Sequence, residues 1–307
     1  VRLALLCWRA LNAIGRDLRW IFGVVLLLMV IAAIFAPLIA PHDPLLYHPR
    51  SVAQPPSPTY PMGTDSAGRD VLSRVIYGAR ISLSVGLISV LLGGAIGAVL
   101  GMIAGYAGGL VDRSIGIFAD VLLAFPSLIL ALALAATLGA TLGGVVITIP
   151  LGFTTLSFPV NTLNLIIALA VVRIPVYTRL ARAQTLQVRS LDYIMAARSL
   201  GSRTGTLLRR HVLPNIQSAL LVQVTISISF AILDESVLSF LGLGAPPPTP
   251  EWGSMISEAE PFLLNGDAWM MLGPVLALVL TVLSLNLFGD ALRDKLDPRS
   301  ADRGVRR

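Results

Sequence analysis

Apolar residues in this chain come in long runs separated by short polar stretches, not in the alternation of a half-buried strand or the one-sided stripe of a soluble helix. The runs cover about 21–40, 81–106, 115–138, 161–178, 216–243 and 269–288. A helix needs about 20 apolar residues to cross a hydrocarbon layer of roughly 30 Å. The pattern therefore predicts an all-α integral membrane protein with six transmembrane helices. The first run is read as a retained span, not a cleaved leader, because a leader's apolar stretch is only about 7–15 residues. The initial Val is read as an alternative start codon translated literally.

The intervening stretches divide the chain. Residues 1–19 carry Arg2, Arg9, Arg16 and Arg19 on an otherwise apolar segment and predict an interfacial anchor helix. Residues 20–40 form the first span. Residues 41–79 form a loop kept extended by Pro55, Pro56, Pro58 and Pro61, in which Thr64-Asp65 caps a short amphipathic helix. The span-bearing core is 80–292, with connecting segments at 179–214 and 244–268, and 293–307 is a tail. Phe125-Pro126 predicts a kink in the third span, and 139–160 predicts a loop or re-entrant piece. In the second span Gly93, Gly97, Gly101 and Gly105 recur every four residues, a stripe on one helical face that lets another helix approach closely.

Composition supports lipid as the solvent. Hydrophobic residues make up 55% and charged residues 13%, about half the charge of a soluble domain, and the mean hydropathy is +0.80. The net charge of +6 acquires its meaning from its distribution. With six spans, eighteen of the twenty-three basic residues fall on one side (1–19, Arg113, 179–210 and the tail). Arg50, Arg69, Arg74 and Arg80 fall on the other, and Arg173 lies within a span. Cytoplasmic loops carry the excess of Lys and Arg, so both termini and 179–214 are expected in the cytoplasm. A nucleic-acid partner is not needed to explain the charge.

Several chemistries are missing. A phosphate-binding P-loop needs a Gly-Lys-Ser/Thr end, but the only lysine, Lys295, precedes Leu296. His42, His48 and His211 are scattered, with no His-Glu-x-x-His pair for zinc. Cys7 is the only cysteine and has no neighbouring base. No catalytic residue, metal site or cofactor is assigned to this chain. Asp234 and Glu235 lie inside the fifth span, where an acid by default suggests a pathway or ion site. The alternative is a local pair or hydrogen bond at a break before Gly242. Asp120 is expected to pair with Arg113 or with an arginine of 179–210.

The segment 179–214 is basic and has ordered-looking sequence. Residues 191–200 suit a helix, Ala196-Ala197 permits tight docking, and Gly201 terminates it. A second helical piece over 203–212 is expected to end at Pro214. A solvated basic loop is the plain alternative. With Asp192, Met195, His211 and Leu213 in place, Ala196-Ala197, Gly201 and Leu213-Pro214 resemble the Glu-Ala-Ala…Gly…Ile-x-Leu-Pro loop of permease subunits of binding-protein-dependent ABC importers. Further stretches resemble the oligopeptide, dipeptide and nickel branch. They are Gly63-Thr-Asp-Ser-Ala-Gly-Arg-Asp-Val-Leu-Ser-Arg74, Asp120-Val-Leu-Leu-Ala-Phe-Pro126, Leu238-Ser-Phe-Leu-Gly-Leu-Gly244 and Asn286-Leu-Phe-Gly-Asp-Ala-Leu-Arg-Asp-Lys-Leu-Asp-Pro298. Two positions depart: the family's Glu is Met195 here, and its Ile is His211.

The resemblance implies a MetI-like permease fold in a prokaryotic inner membrane. It implies a homologous second permease, one or two ABC ATPases holding ATP and Mg, and a substrate-binding protein that meets the outer 45–75 and 245–267 segments. The 191–214 elbow is then the coupling helix docking on an ATPase, and peptides are the expected cargo. A different class, an ion-coupled secondary carrier using Asp234 and Glu235, predicts an inverted repeat with broken helices, and none is evident.

Overall fold

The computed structural model describes residues 20–141, 147–150, 155–158 and 160–296. The amino-terminal anchor segment with Cys7 and the tail beyond Leu296 lie outside the described residues. Helix α1 (Trp20–Ile34) is followed by α2 (Ala36–Ile39), where Pro37 sits in the first turn and its missing N–H is harmless. A 3₁₀ turn at Pro49–Ser51 interrupts the loop that follows. Then come α3 (Val71–Ala107), α4 (Gly109–Leu123) and α5 (Ser127–Thr141). Strands β1 (Ile147–Pro150) and β2 (Thr155–Phe158) pair antiparallel, with Ile147 opposite Phe158. Helix α6 (Val160–Arg189) leads to α7 (Asp192–Ser199), α8 (Thr204–Leu207), a π turn at Leu208–Val212 and α9 (Leu213–Phe240). Helix α10 (Trp252–Ala259), a 3₁₀ turn (Glu260–Asn265) and α11 (Trp269–Leu296) complete the described chain.

Among the described residues four helices are long and apolar enough to cross a membrane: Val71–Ala107, Asn161–Arg189, Thr204–Phe240 and Trp269–Lys295. Gly109–Leu123 and Ser127–Gly139 together are apolar enough for one more crossing but meet at 90°, the shape of a broken span or a re-entrant loop. The break falls at Pro126, which has no N–H to continue the hydrogen bonds of α4 and whose carbonyl instead opens α5. The expected first span is the shorter apolar helix Trp20–Ile34.

The structure corrects four expectations. There is no separate amphipathic helix opened by Thr64-Asp65. The chain turns at 64–70, closed by a Thr64–Asp70 bridge, and Val71 begins α3 directly. The cap is Asp70, whose carboxylate accepts the Ser73 N–H at 3.0 Å, so the outer loop ends nine residues early. The piece over 203–212 does not stop at Pro214. It continues into α9 because the π turn opens the backbone just before the proline ring, which then occupies the first turn of a new helix. The segment 139–160 carries a hairpin, and α6 runs eleven residues past the expected end of the fourth span.

By contacts the chain divides into two units. One comprises residues 85–146 and 159–234. Its core is a close approach of α3 to α6. A Cβ placed on Gly93, Gly97, Gly101 or Gly105 would lie 2.3, 2.4, 2.3 and 2.8 Å from the carbonyl oxygens of Ala170, Ile174, Thr178 and Arg182. The four-residue repeat of one helix thus rides on the four-residue repeat of the other, and only hydrogen fits between. Tyr177, with Val90 and Ala231, fills the space beside this seam.

The other unit comprises residues 1–84, 147–158 and 235–307. Arg74 is its central buried charge. It meets Asp65 and Glu258, each at 3.3 Å, and donates to the Pro248 carbonyl at 3.0 Å. Arg69 adds contacts to Asp65 at 2.7 Å and Glu258 at 2.9 Å. The buried Trp252 indole donates to the Val75 carbonyl at 3.0 Å.

Candidate functional site

The basic elbow is built on α7. Leu191 precedes the helix in extended conformation, Asp192 sits in its first turn and Arg198 in its last. Both charges favour the helix ends they occupy. Ile194 is buried among Ala98, Met102, Ala181, Val188, Val212 and Ile216, which anchors α7 to α3, α6 and α9. The helix ends in a Schellman arrangement: Ser202 N–H donates to Ala197 O at 3.2 Å and Gly201 N–H to Arg198 O at 3.0 Å. Gly201 has φ of +84°, and nothing lies within 4 Å of a Cβ built there. Its conformation, not crowding, calls for glycine.

Tyr193 accepts a hydrogen bond from Asn215 Nδ2 at 3.0 Å, and its ring lies 6.2 Å from that of His211. Ile194, Tyr193 and Asn215 thus fix the tilt of α7 against the start of α9. Of the residues singled out from the sequence, Asp192, Met195, Ala196 and Gly201 face outward, and Leu213 and Pro214 are exposed on the same elbow. Ala197 and His211 are half-buried.

The arginines of this segment fall into two groups. Arg179, Arg182 and Arg189 act inside the unit. Arg179 reaches Asp120 at 2.6 Å, Arg182 grips Asp112 with two nitrogens, and Arg189 donates to the Gly105 carbonyl at 2.8 Å. The last contact satisfies a carbonyl left unpaired at the end of α3. Arg198, Arg203, Arg209 and Arg210 are exposed and have no carboxylate partner among the described residues.

The two acids of α9 are placed differently. Asp234 forms an ion pair with Arg173 of α6. Glu235 is fully buried and accepts from Ser82 at 3.3 Å and Ser236 at 3.0 Å. Neither stands alone in the span. Sequence reasoning did not find the network of Asp65, Arg69, Arg74, Glu251, Glu258 and Trp252. Glu251 is fully buried and holds Ser239 Oγ and the Ala245 N–H, each at 2.7 Å. Two arginines five residues apart in an otherwise weakly basic outer stretch were the available signal. No group of three or more metal-ligating side chains occurs among the described residues.

Residues 97–302 match the family described as "Binding-protein-dependent transport system inner membrane component", and residues 16–56 match "N-terminal TM domain of oligopeptide transport permease C". The chain is 41% identical over 280 residues to a di/tripeptide transport system permease protein, DppC, of Pseudomonas aeruginosa, covering 89% of this chain and 86% of that one. It is 42% identical over 274 residues to a glutathione transport system permease protein, GsiD, of Shigella dysenteriae, covering 89% and 84%. A dipeptide transport system permease protein of Alkalihalophilus pseudofirmus shares 37% over 294 residues, covering 95% and 90%. Among solved structures, the inward-facing MetNI methionine ABC transporter aligns with a TM-score of 0.57 at 16% identity, over 73% of this chain and 96% of that one. That likeness concerns the fold.

Proposed function

Because the chain belongs to the family of binding-protein-dependent transport system inner membrane components, we propose that it carries short peptides across the inner membrane as one half of a two-permease path. Peptide cargo is supported by the relatives that carry dipeptides, tripeptides and glutathione. The chain crosses six times, counting α1 and the broken α4–α5 pair, with both termini and α7 in the cytoplasm. The basic residues concentrated around α7 and the two termini support that orientation. A binding protein delivers the peptide to the outer face. Glu251 and Glu258 are engaged within this chain, so they are not the groups that meet it. The exposed residues of the 45–75 and 245–267 segments, Leu45, Leu46 and Tyr47 in one and Glu260, Leu263 and Leu264 in the other, are surfaces open to it.

Energy comes from partner ATPases that bind ATP and Mg. Their closure displaces α7, and the spans alternate between inward- and outward-open states, a shift between two arrangements with no chemistry in this chain. Asp192, Met195, Ala196, Ala197, Gly201, His211, Leu213 and Pro214 make up the coupling elbow. The observation that carries this reading is a short helix with one side chain, Ile194, sunk into the transmembrane unit and an opposite face open to solvent. Such a helix passes a push on its outer face directly to α3, α6 and α9. Replacing Ala196 with Trp is expected to abolish peptide uptake while leaving the amount of protein in the membrane unchanged. Uptake at the wild-type rate would remove α7 from the coupling path.

A further inference from the structure

Resting on the coupling role proposed for α7, we propose that the partner surface receiving this helix is an apolar socket with an acidic rim, into which the Met195 side chain fits. At 100° per residue, the face opposite buried Ile194 carries Asp192, Ala196 and Ser199, with Met195 at its edge. Leu191 is 43% exposed, Met195 51%, and Leu200 at the end of the helix 87%. Ala196 and Ser199 flank Met195 with small side chains, so the thioether stands out as a knob. A flexible, polarisable side chain of this kind suits an irregular apolar pocket. A basic group against Met195 would find no counter-charge at that position, the one carboxylate of α7 being Asp192 a turn earlier, and a buried unpaired charge is strongly unfavourable.

The rim follows from charge. Arg198, Arg203, Arg209 and Arg210 are exposed and lack carboxylate partners among the described residues. Asp192 is the single acid between Asp120 and Asp234, and it lies in the first turn of α7, where the helix's own free N–H groups offset its charge. A surface opposing four exposed guanidinium groups is favoured when it carries carboxylates. Such a rim steers association and makes it salt-dependent, whereas the buried centre sets the dissociation rate.

The test uses the complete two-permease complex in detergent, titrated with the P-loop ATPase purified from the same transporter, at low and at high salt. Met195→Glu is expected to weaken ATPase binding by about tenfold to a hundredfold. Met195→Leu, which keeps an apolar knob, should weaken it far less. Arg198→Glu with Arg203→Glu should lower the association rate and flatten its salt dependence. Retention of the second permease by each variant shows that the bundle is intact. Equal or tighter binding by Met195→Glu would mean a basic or polar socket and overturn the proposal. An unchanged salt slope after the double arginine reversal would overturn the acidic rim. If the wild-type complex does not bind the ATPase, or Ala196→Trp binds and transports normally, the coupling role itself falls.

Discussion

A single added methyl group is a decisive perturbation along the seam between α3 and α6. At Gly101 a Cβ would lie 2.3 Å from the Thr178 carbonyl oxygen and 2.7 Å from the Ala181 Cβ, and neither neighbour can rotate away. Gly101→Ala therefore forces the two helices apart. Overpacking of this kind costs roughly 1–3 kcal/mol, read as a lower unfolding temperature in detergent. Gly116, in the middle of α4, has nothing within 4 Å of its Cβ position. Gly116→Ala is expected to be neutral or slightly stabilising through its better helix propensity, and equal losses at both sites would refute the account of the seam. The glycine spacing is plain in the sequence, because a four-residue repeat lies on one helical face. The register that sets it on Ala170, Ile174, Thr178 and Arg182 is not, since it depends on how two distant helices slide. Asp234 shows the same limit: an acid inside a span is visible to the eye, but its partner Arg173 is sixty-one residues away.

The α7 elbow shows where element-scale reading succeeds and where it fails. Gly201 marks a helix end because only glycine adopts its positive φ without strain. Gly201→Ala should cost about 1 kcal/mol of the stability of the α7 terminus, with hydrogen-exchange protection of the amides after Ala196 falling roughly fivefold. Gly201→Asn should lose less, because Asn tolerates the left-handed region better. Protection as high for Ala as for Gly would show that the turn does not hold the helix. Pro214 carries the opposite lesson. Proline argues locally for a helix stop, yet α9 starts at that point, since a π turn at Leu208–Val212 absorbs the mismatch. The hairpin over 147–158 was illegible for a related reason: strand pairing comes from a partner segment, and short apolar runs suit either structure.

For the whole molecule the question is where the driving energy enters. Arg74, Asp65 and Glu258 satisfy one another in one unit, and Arg173 with Asp234 does so in the other. Glu235 is fully buried among the hydroxyls of Ser82 and Ser236 and beside the buried carboxyl of Glu251. Most of the charged groups in the transmembrane helices are thus already engaged, which disfavours them as freely loading ion carriers. The chain also holds one lysine, Lys295, outside any phosphate-binding context, so it cannot bind a nucleotide through a P-loop. On the proposed function work is delivered from outside, and the exposed face of α7 is the surface proposed to receive it. Vesicles containing both permeases and the binding protein, but no ATPase, are expected to accumulate no peptide under a proton or sodium gradient. Adding the ATPase with ATP and Mg should start accumulation, and Ala196→Trp should prevent it without altering the ATPase's own nucleotide binding. Gradient-driven accumulation without the ATPase would instead place the energy input within the bundle and return Asp234 and Glu235 to the centre of the mechanism.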